Sequence, residues 1–176
     1  MSCQTADAPM TSPAPAPALR LLVVGGTCLT GFAIAREALA RGHHVTVLGL
    51  GTDHAEALED ADVVAGDPFA PPPEDVVSGH DAIVSAVSGQ CDGDPRMIFV
   101  LASWLLQAAE AAGVPRLLWA GAADGPDDEM LAQAQALEVL RSTQTPVRWS
   151  SFTPTPDLVA DARAAVDELE QNRTAA

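Results

Sequence analysis

The feature that most constrains this chain is the stretch VVGGTCLTG at residues 23–31. It ends the apolar run LRLLVVGG (19–26), which is typical of a strand buried on both faces of a sheet. It also opens the segment LTGFAIAREALARGHH (29–44), whose apolar spacing predicts a helix that stops near Gly42. A helix that starts directly after a strand offers unpaired N–H groups and the positive end of its dipole. The turn therefore predicts a binding site for a phosphate group.

The rest of the chain alternates between strand-like and helix-like segments. The sequence predicts strands over 44–50, 62–67, 80–89, 115–123 and 146–152, helices over 52–61, 96–113, 128–143 and 156–171, and a loop over 68–75. This alternation favours the α/β class, with a parallel sheet that is covered on both faces. Together with the family resemblance given below, we expect the doubly wound Rossmann form in strand order 3-2-1-4-5-6 and in a minimal form.

The predicted domain organisation is simple. Residues 1–18 form a Pro/Ala-rich tail without the basic start and apolar block of a signal peptide. Residues 19–171 form a single domain, and residues 172–176 form a short tail. No uninterrupted apolar stretch reaches the ~20 residues that a membrane helix needs, so no membrane span is expected.

Charge excludes several classes of partner. The formal net charge is −15, and the nine cations are all arginines that are scattered along the chain. Nucleic acids and anionic membrane surfaces bind clusters of cations, so neither is expected as a partner.

Cysteines and histidines give no sign of a metal site. Cys3, Cys28 and Cys91 are odd in number and widely spaced, and the four histidines form no ligand array with them. We therefore expect no metal and no disulfide framework, and a reducing cytoplasm as the location. His80-Asp81 is expected to be a structural loop, and the three tryptophans are expected to pack in the core or on the sheet.

Several segments, in this order along the chain, resemble one known family. They are LLVVGGTCLTGFAIAREALARGHHVTVL, DVVAGDPFAP, GHDAIVSAVSG, LLQAAEAAGVPRLLWAGAA, ALEVLRSTQTPVRW and AAVDELEQ. Together they resemble the NmrA-like, NAD(P)H-binding branch of the atypical short-chain dehydrogenase/reductases over roughly residues 19–171. The resemblance implies NADP or NAD as cofactor, and so a small-molecule dinucleotide as ligand.

The resemblance also implies roles for particular residues. Those that would line the pyrophosphate are Gly25, Gly26, Thr27, Cys28, Leu29, Thr30 and Gly31. Asp67 would contact the adenine. Ser85, Ala86 and Val87 would pass the ribose. Gly121 and Ala122 would lie beside the nicotinamide.

The chain departs from the family pattern at several places. Cys28 stands where the middle glycine of the turn is expected, and a side chain there adds bulk. The second strand ends in LGLG, so neither Gly49 nor Gly51 supplies the acidic residue or arginine that would distinguish NAD from NADP. The chain has no tyrosine and no lysine, so the Tyr-x-x-x-Lys catalytic pair cannot exist. The segments that would cover the nicotinamide and the substrate are shortened.

Three functional hypotheses follow. The first is an NAD(P)H-dependent oxidoreductase that transfers a hydride directly to a small conjugated acceptor such as a flavin or quinone. The second is a non-catalytic dinucleotide binder or redox sensor that acts through a protein partner, and a redox-sensitive Cys28 thiol is one form of it. The third is a degenerate fold without a ligand. A homodimer that covers apolar surface left by the shortened half is a further hypothesis.

Overall fold

The computed structural model describes residues 17–49, 55–67, 70–87, 94, 97–121 and 127–172. Its strands and helices alternate as the sequence predicts. In chain order they are β1 (Arg20–Val24), α1 (Leu29–Ala40), β2 (His44–Gly49), β3 (Asp62–Ala65), α2 (Glu74–Val77), β4 (Ala82–Ser85), α3 (Ile98–Ala112), β5 (Arg116–Ala120), α4 (Asp127–Ser142), β6 (Arg148–Phe152) and α5 (Leu158–Gln171).

The six strands form one parallel sheet in the order β3-β2-β1-β4-β5-β6, which confirms the predicted Rossmann-like architecture. The register places Val24 of β1 opposite Leu48 of β2 on one side and Ser85 of β4 on the other. Ser85 is in turn opposite Trp119 of β5. The carboxyl ends of the four central strands therefore lie level with one another, where ligands bind in sheets of this kind.

Two apolar layers cover the sheet. Leu22 and Val24 pack in the layer that holds α3 and α4, whereas Leu21 and Val23 pack in the layer that holds α1 and α5. Neighbouring residues of β1 therefore face opposite layers, and each has a relative exposure of 0–1%. Burial on both faces is the reason that β1 reads as a continuous apolar run rather than an alternating one.

Two predicted elements are wrong in detail. The segment expected to be a loop over 68–75 leads into α2, because acidic residues in the first turn, Glu74 and Asp75, favour a helix start and Val77 is buried. The helix expected over 52–61 is reduced to a 3-10 helix at Ala55–Leu58, and residues 50–54 lie outside the described ranges.

Ion pairs join two helices near the amino-terminal ends of the strands. Arg41, at the end of α1, pairs with Glu37 at 2.9 Å and with Asp167 and Glu170 of α5. The hydrogen bond to Asp167 raises the pKa of the Arg41 guanidinium above its ordinary value. These pairs tie α1 to α5.

His80 and Asp81 also lie at the amino-terminal edge, away from the carboxyl ends of the strands. The His80 Nε2 atom lies 2.9 Å from the Thr46 hydroxyl, and an Asp81 carboxylate oxygen accepts from the Arg20 N–H at 2.7 Å. This pair is structural, as expected. Within the described ranges, no helix is long and apolar enough to cross a bilayer.

The two-layer packing predicts a sharp contrast between two leucines of α4. Leu140 is 0% exposed and Leu131 is 60% exposed. We expect Leu140→Ala to lower the free energy of unfolding by about 2–5 kcal/mol, because it leaves a cavity in the core. Leu131→Ala should change it by less than about 0.5 kcal/mol. Urea unfolding measures both, and equal losses would contradict the described orientation of α4.

Candidate functional site

The glycine turn joins β1 to α1 through a sharp reversal at Gly25. Its φ of +79° lies in the left-handed region that favours glycine. The Gly25 N–H donates to the carbonyl of Leu48 at 2.8 Å, and the Gly25 carbonyl accepts from the Cys28 N–H at 2.9 Å. These two bonds fix the turn against the end of β2 and bring the chain into position to start a helix.

The first turn of α1 lies directly against this reversal. A Cβ added at Gly31 would clash with the carbonyl oxygen of Gly25 and would come within 2.9 Å of the Gly26 Cα. A Cβ at Gly26 would lie 2.6 Å from a methyl carbon of Val47. Backbone therefore contacts backbone here, and only glycine at position 31 allows the helix to approach so closely.

The N-terminus of α1 suits an anionic ligand. Cys28 is the N-cap in an extended conformation, and its side chain makes no capping hydrogen bond. The first turn of the helix carries no acidic residue that would repel an anion. The amides of the first turn have no carbonyl partner within the helix, so they point outward with the positive end of the dipole. A helix N-terminus of this kind is suited to an anion such as a phosphate group.

The end of β4, which holds Ser85, and the two residues that follow it, Ala86 and Val87, lie beside the turn. The Ala86 N–H donates to the carbonyl of Val24 at 2.9 Å, and a Val87 methyl lies 2.9 Å from the place where a Gly25 Cβ would be. The Ser85 hydroxyl is fully buried and has no hydrogen-bond partner among the residues that the structure describes. The structure thus brings two predicted groups of site residues, 25–31 and 85–87, into one place.

The remaining predicted site residues are farther from the turn. Gly121 directly follows β5, where its N–H donates to the Phe152 carbonyl at 2.9 Å. Ala122 lies outside the described residues. Asp67 is exposed just past the end of β3, two strands away from β1. Both Gly121 and Asp67 follow carboxyl ends of strands, on either side of the turn.

A buried polar network beside the turn was not predicted from the sequence. The Trp119 indole N–H donates to the Gln133 side-chain oxygen at 3.0 Å, and the Gln133 amide N–H donates to the Val87 carbonyl at 3.4 Å. Gln133 thereby links α4 to the ends of β4 and β5. Its Oε1 also lies 3.9 Å from the place where a Cβ of Gly121 would be.

Glu129 lies one helical turn before Gln133 and is also buried, at 2% exposure. The two residues are polar exceptions on the buried stripe of α4 that includes Ala132 and Ala136. Polar residues spaced by four on an otherwise apolar helix stripe are a signal that sequence inspection could have used. Trp119 is fully buried, which confirms its expected role in packing.

The sequence analysis expected no disulfide framework and did not predict that Cys28 is part of a disulfide. The residue is disulfide-bonded, and its partner lies outside the described residues. Spacing along the sequence could not show this pairing, because the count and separation of cysteines do not say which of them pair. The position expected to hold the middle glycine therefore holds a cross-linked side chain.

Strand β2 ends at Gly49, which has no side chain that could distinguish NAD from NADP. A Cβ at Gly49 would lie 2.8 Å from the Thr27 hydroxyl, so the strand end packs closely against the turn. Residues 50–54, which continue from this strand end, lie outside the described ranges. Among the described residues, no group of three or more His, Cys, Asp or Glu side chains could hold a metal ion.

Comparisons with known proteins agree with this geometry. The profile of the NAD(P)H-binding family matches residues 25–172, and no curated protein matches the chain significantly. A solved protein of Listeria monocytogenes is 25% identical, with a TM-score of 0.72 over 87% of this chain and 92% of that chain.

Two further solved structures share the fold. A candidate NADH-flavin reductase of Streptococcus pneumoniae is 20% identical, with a TM-score of 0.74 over 89% of this chain and 95% of that chain. The enzyme WbmH of Bordetella bronchiseptica, solved in complex with NAD+, is 16% identical, with a TM-score of 0.67 over 88% of this chain and 73% of that chain.

The close approach at Gly31 predicts that an alanine at this position lowers the free energy of unfolding. Alanine is the better helix former by about 1 kcal/mol, yet we expect Gly31→Ala to destabilise the fold by about 1–3 kcal/mol, because its Cβ would clash with backbone that cannot move away. Gly42→Ala is the control. It has a φ of +81° but nothing within 4 Å of its Cβ, so it carries only the conformational cost of about 1–2 kcal/mol.

Urea unfolding combined with the amide NMR spectrum distinguishes the two alanine variants. Gly31→Ala should shift the amide signals of the turn and of the start of α1, whereas Gly42→Ala should leave them in place. A Gly31→Ala variant that is more stable than the natural protein would contradict the described contact.

The buried network predicts a loss of stability on removal of its central side chain. We expect Gln133→Leu to lower the free energy of unfolding by about 1–3 kcal/mol, because it leaves a buried Trp119 N–H without its acceptor. Gln135→Leu on the exposed face of the same helix is the matched control, with an expected change below about 0.5 kcal/mol. Tryptophan fluorescence should change only in the first variant. No difference between the two would argue against the network.

Proposed function

Because the chain belongs to the NAD(P)H-binding family, we propose that it is an NAD(P)H-dependent oxidoreductase that reduces a small conjugated acceptor of the flavin or quinone class. The observation that carries this proposal is the contact between Gly31 and the Gly25 carbonyl. It places the N-terminus of a twelve-residue helix at the carboxyl end of the central strand. That arrangement binds a dinucleotide pyrophosphate in folds of this kind.

Each part of the site has a proposed task toward the cofactor. The turn from Gly25 to Gly31 holds the pyrophosphate through backbone N–H groups. Ser85, Ala86 and Val87 pass the ribose, Gly121 and Ala122 flank the nicotinamide, and Asp67 contacts the adenine. When bound, the cofactor supplies a hydride. The protein fixes the position of the ring through strand ends that Gln133 holds together.

Exposed apolar side chains at the same edge support the proposed class of acceptor. Leu29 is 72% exposed at the start of α1, and Met130 and Leu131 are 40% and 60% exposed in the first turns of α4. Both helices begin on the side where the strands end, so these side chains flank the proposed site. A flat conjugated ring offers apolar area to such side chains. It can also spread the added charge, which suits a chain without the tyrosine and lysine of a proton relay.

A second candidate function is favoured by the disulfide at Cys28. A non-catalytic dinucleotide binder that senses redox state and acts through a protein partner would use the same turn without needing an acceptor site. The two functions differ in turnover and share the requirement that the turn binds NAD(P)(H).

Thermal unfolding and turnover together test the proposal. With the protein reduced by a dithiol, NADH or NADPH at hundredfold excess over its dissociation constant should stabilise the fold by about 2.7 kcal/mol. The same protein should oxidise that nucleotide when FMN, FAD or a benzoquinone is present, as followed by nucleotide absorbance. Gly31→Val, which places a side chain against the Gly25 carbonyl, should abolish both effects.

Each other outcome has a definite meaning. Stabilisation without turnover across the acceptor panel would contradict the oxidoreductase and favour the sensor. An unchanged melting temperature with all of NAD, NADH, NADP and NADPH would contradict both functions. Stabilisation that persists in a folded Gly31→Val variant would place the ligand elsewhere.

A further inference from the structure

The carboxyl ends of β1, β2 and β3 form one continuous surface beside the glycine turn. A Cβ at Gly49, the last residue of β2, would lie 2.8 Å from the Thr27 hydroxyl oxygen of the turn. On its other side, the Gly49 carbonyl accepts from the Gly66 N–H at 2.9 Å, and Gly49 pairs with Ala65 of β3. Asp67 directly follows Gly66 and is exposed. Asp67 therefore ends a strand that lies roughly 5 Å from β2.

The proposed function places the adenosine half of the dinucleotide on this surface. In doubly wound sheets, the dinucleotide lies across the point where the strand order reverses, which is here between β1 and β4. With the nicotinamide at the ends of β4 and β5, the adenosine lies over the ends of β2 and β3. The end of β2 is where an acidic residue or an arginine distinguishes NAD from NADP in such folds. Because β2 ends in a glycine, this distinction depends on the groups beside it.

The segments that border this surface contain acids and no arginine or lysine. Residues 25–31, 49–54 and 65–70 hold two aspartates, Asp53 and Asp67, and one histidine. The extra phosphate of NADPH is bound best by a cation, above all by an arginine that holds its oxygens in a bidentate manner. A carboxylate accepts hydrogen bonds from the hydroxyl and amino groups of an adenosine, but it repels a phosphate.

The arginines on this half of the sheet lie away from its carboxyl end. Residues 1–95 contain three of them, Arg20, Arg36 and Arg41. Arg20 begins β1 and Arg41 follows the end of α1, so both lie toward the amino-terminal ends of the strands. Arg36 lies two turns into α1, about 10 Å along the helix axis from its start. It lines a surface groove together with Glu59 and Asp60, whose negative charges offset its own.

We propose that the protein prefers NADH to NADPH, and that the Asp67 carboxylate is the group that sets this preference. This inference rests on the proposed function, since it requires a dinucleotide with its pyrophosphate at the glycine turn. NADH and NADPH differ by one phosphate on the adenosine ribose. The effect of the acidic residues on the shared pyrophosphate therefore cancels when the two nucleotides are compared.

Isothermal titration of the dithiol-reduced full chain measures the two dissociation constants. At low ionic strength, NADH should bind at least about tenfold more tightly than NADPH, because a phosphate with up to two negative charges lies a few ångström from a carboxylate. The ratio of the two constants should fall as salt is added, since screening weakens the repulsion between exposed charges.

Variants of two aspartates on the same strand test the role of Asp67. Asp67→Asn should tighten the binding of NADPH and reduce the ratio by about threefold or more, whereas Asp67→Glu should keep the preference. Asp67→Arg should make NADPH the tighter ligand. Asp62→Asn is the matched control, because Asp62 is also exposed but begins β3, about 15 Å from Asp67. This control removes the same charge and should leave the ratio unchanged.

The remaining outcomes separate this inference from the proposed function. NADPH binding as tightly as NADH, or more tightly, would overturn the inference and leave the proposed function intact. A preference for NADH that Asp67→Asn alters no more than Asp62→Asn does would overturn the role of Asp67. Failure of both nucleotides to bind the reduced, folded protein would overturn the proposed function itself.

Discussion

The candidate site depends on one contact, between the first turn of α1 and the carbonyl of Gly25. The approach leaves no volume for a Cβ at Gly31, so the helix rests on the backbone of the turn itself. This contact brings unpaired helix amides to the end of the central strand, where they face outward. A larger residue at position 31 would move the helix away and separate the amides from the strand end. The positive potential of the helix amides at this place thus depends on the absence of a side chain at Gly31.

The surrounding structure holds this contact in place from both sides of the sheet. Hydrogen bonds from Gly25 to Leu48 and from Ala86 to Val24 fix the turn between the ends of β2 and β4. Gln133 then links the end of β4 to β5 through buried hydrogen bonds. The ion pairs of Arg41 tie α1 to α5 at the opposite edge. At the carboxyl ends of the strands, by contrast, the backbone N–H groups of the turn lie near exposed apolar side chains.

Sequence predicted those parts of the molecule that local patterns encode. Strands buried on both faces appear as apolar runs, as β1 does, and the glycine spacing locates the turn. Parallel connectivity then follows from the alternation of strands and helices. The predicted order of the six strands is correct because the family resemblance added the Rossmann topology to these local patterns. The family resemblance is confirmed by the match over residues 25–172, whereas the site roles, the homodimer and the cytoplasmic location stay predictions.

Features that arise from contacts distant in sequence were missed. The Trp119–Gln133–Val87 network joins three elements, and its hydrogen bonds exist only once β4, β5 and α4 have come together. The disulfide of Cys28 was also missed, because the odd number and wide spacing of the cysteines predicted no disulfide framework. The short α2 was hidden by the prolines that precede it, although Val77 anchors it in the core.

The most direct test of the central claim is an amide NMR titration of the nitrogen-labelled, dithiol-reduced protein with NADPH and NADH. The account predicts that the largest shifts fall on the amides of Leu29, Thr30 and Gly31, with further shifts at Ala86 and Val87. Shifts confined to another surface, such as the cavity between α5 and the first residues of β5 and β6 that is lined by Arg116 and Arg148, would contradict it. An unchanged spectrum with both nucleotides would contradict it as well.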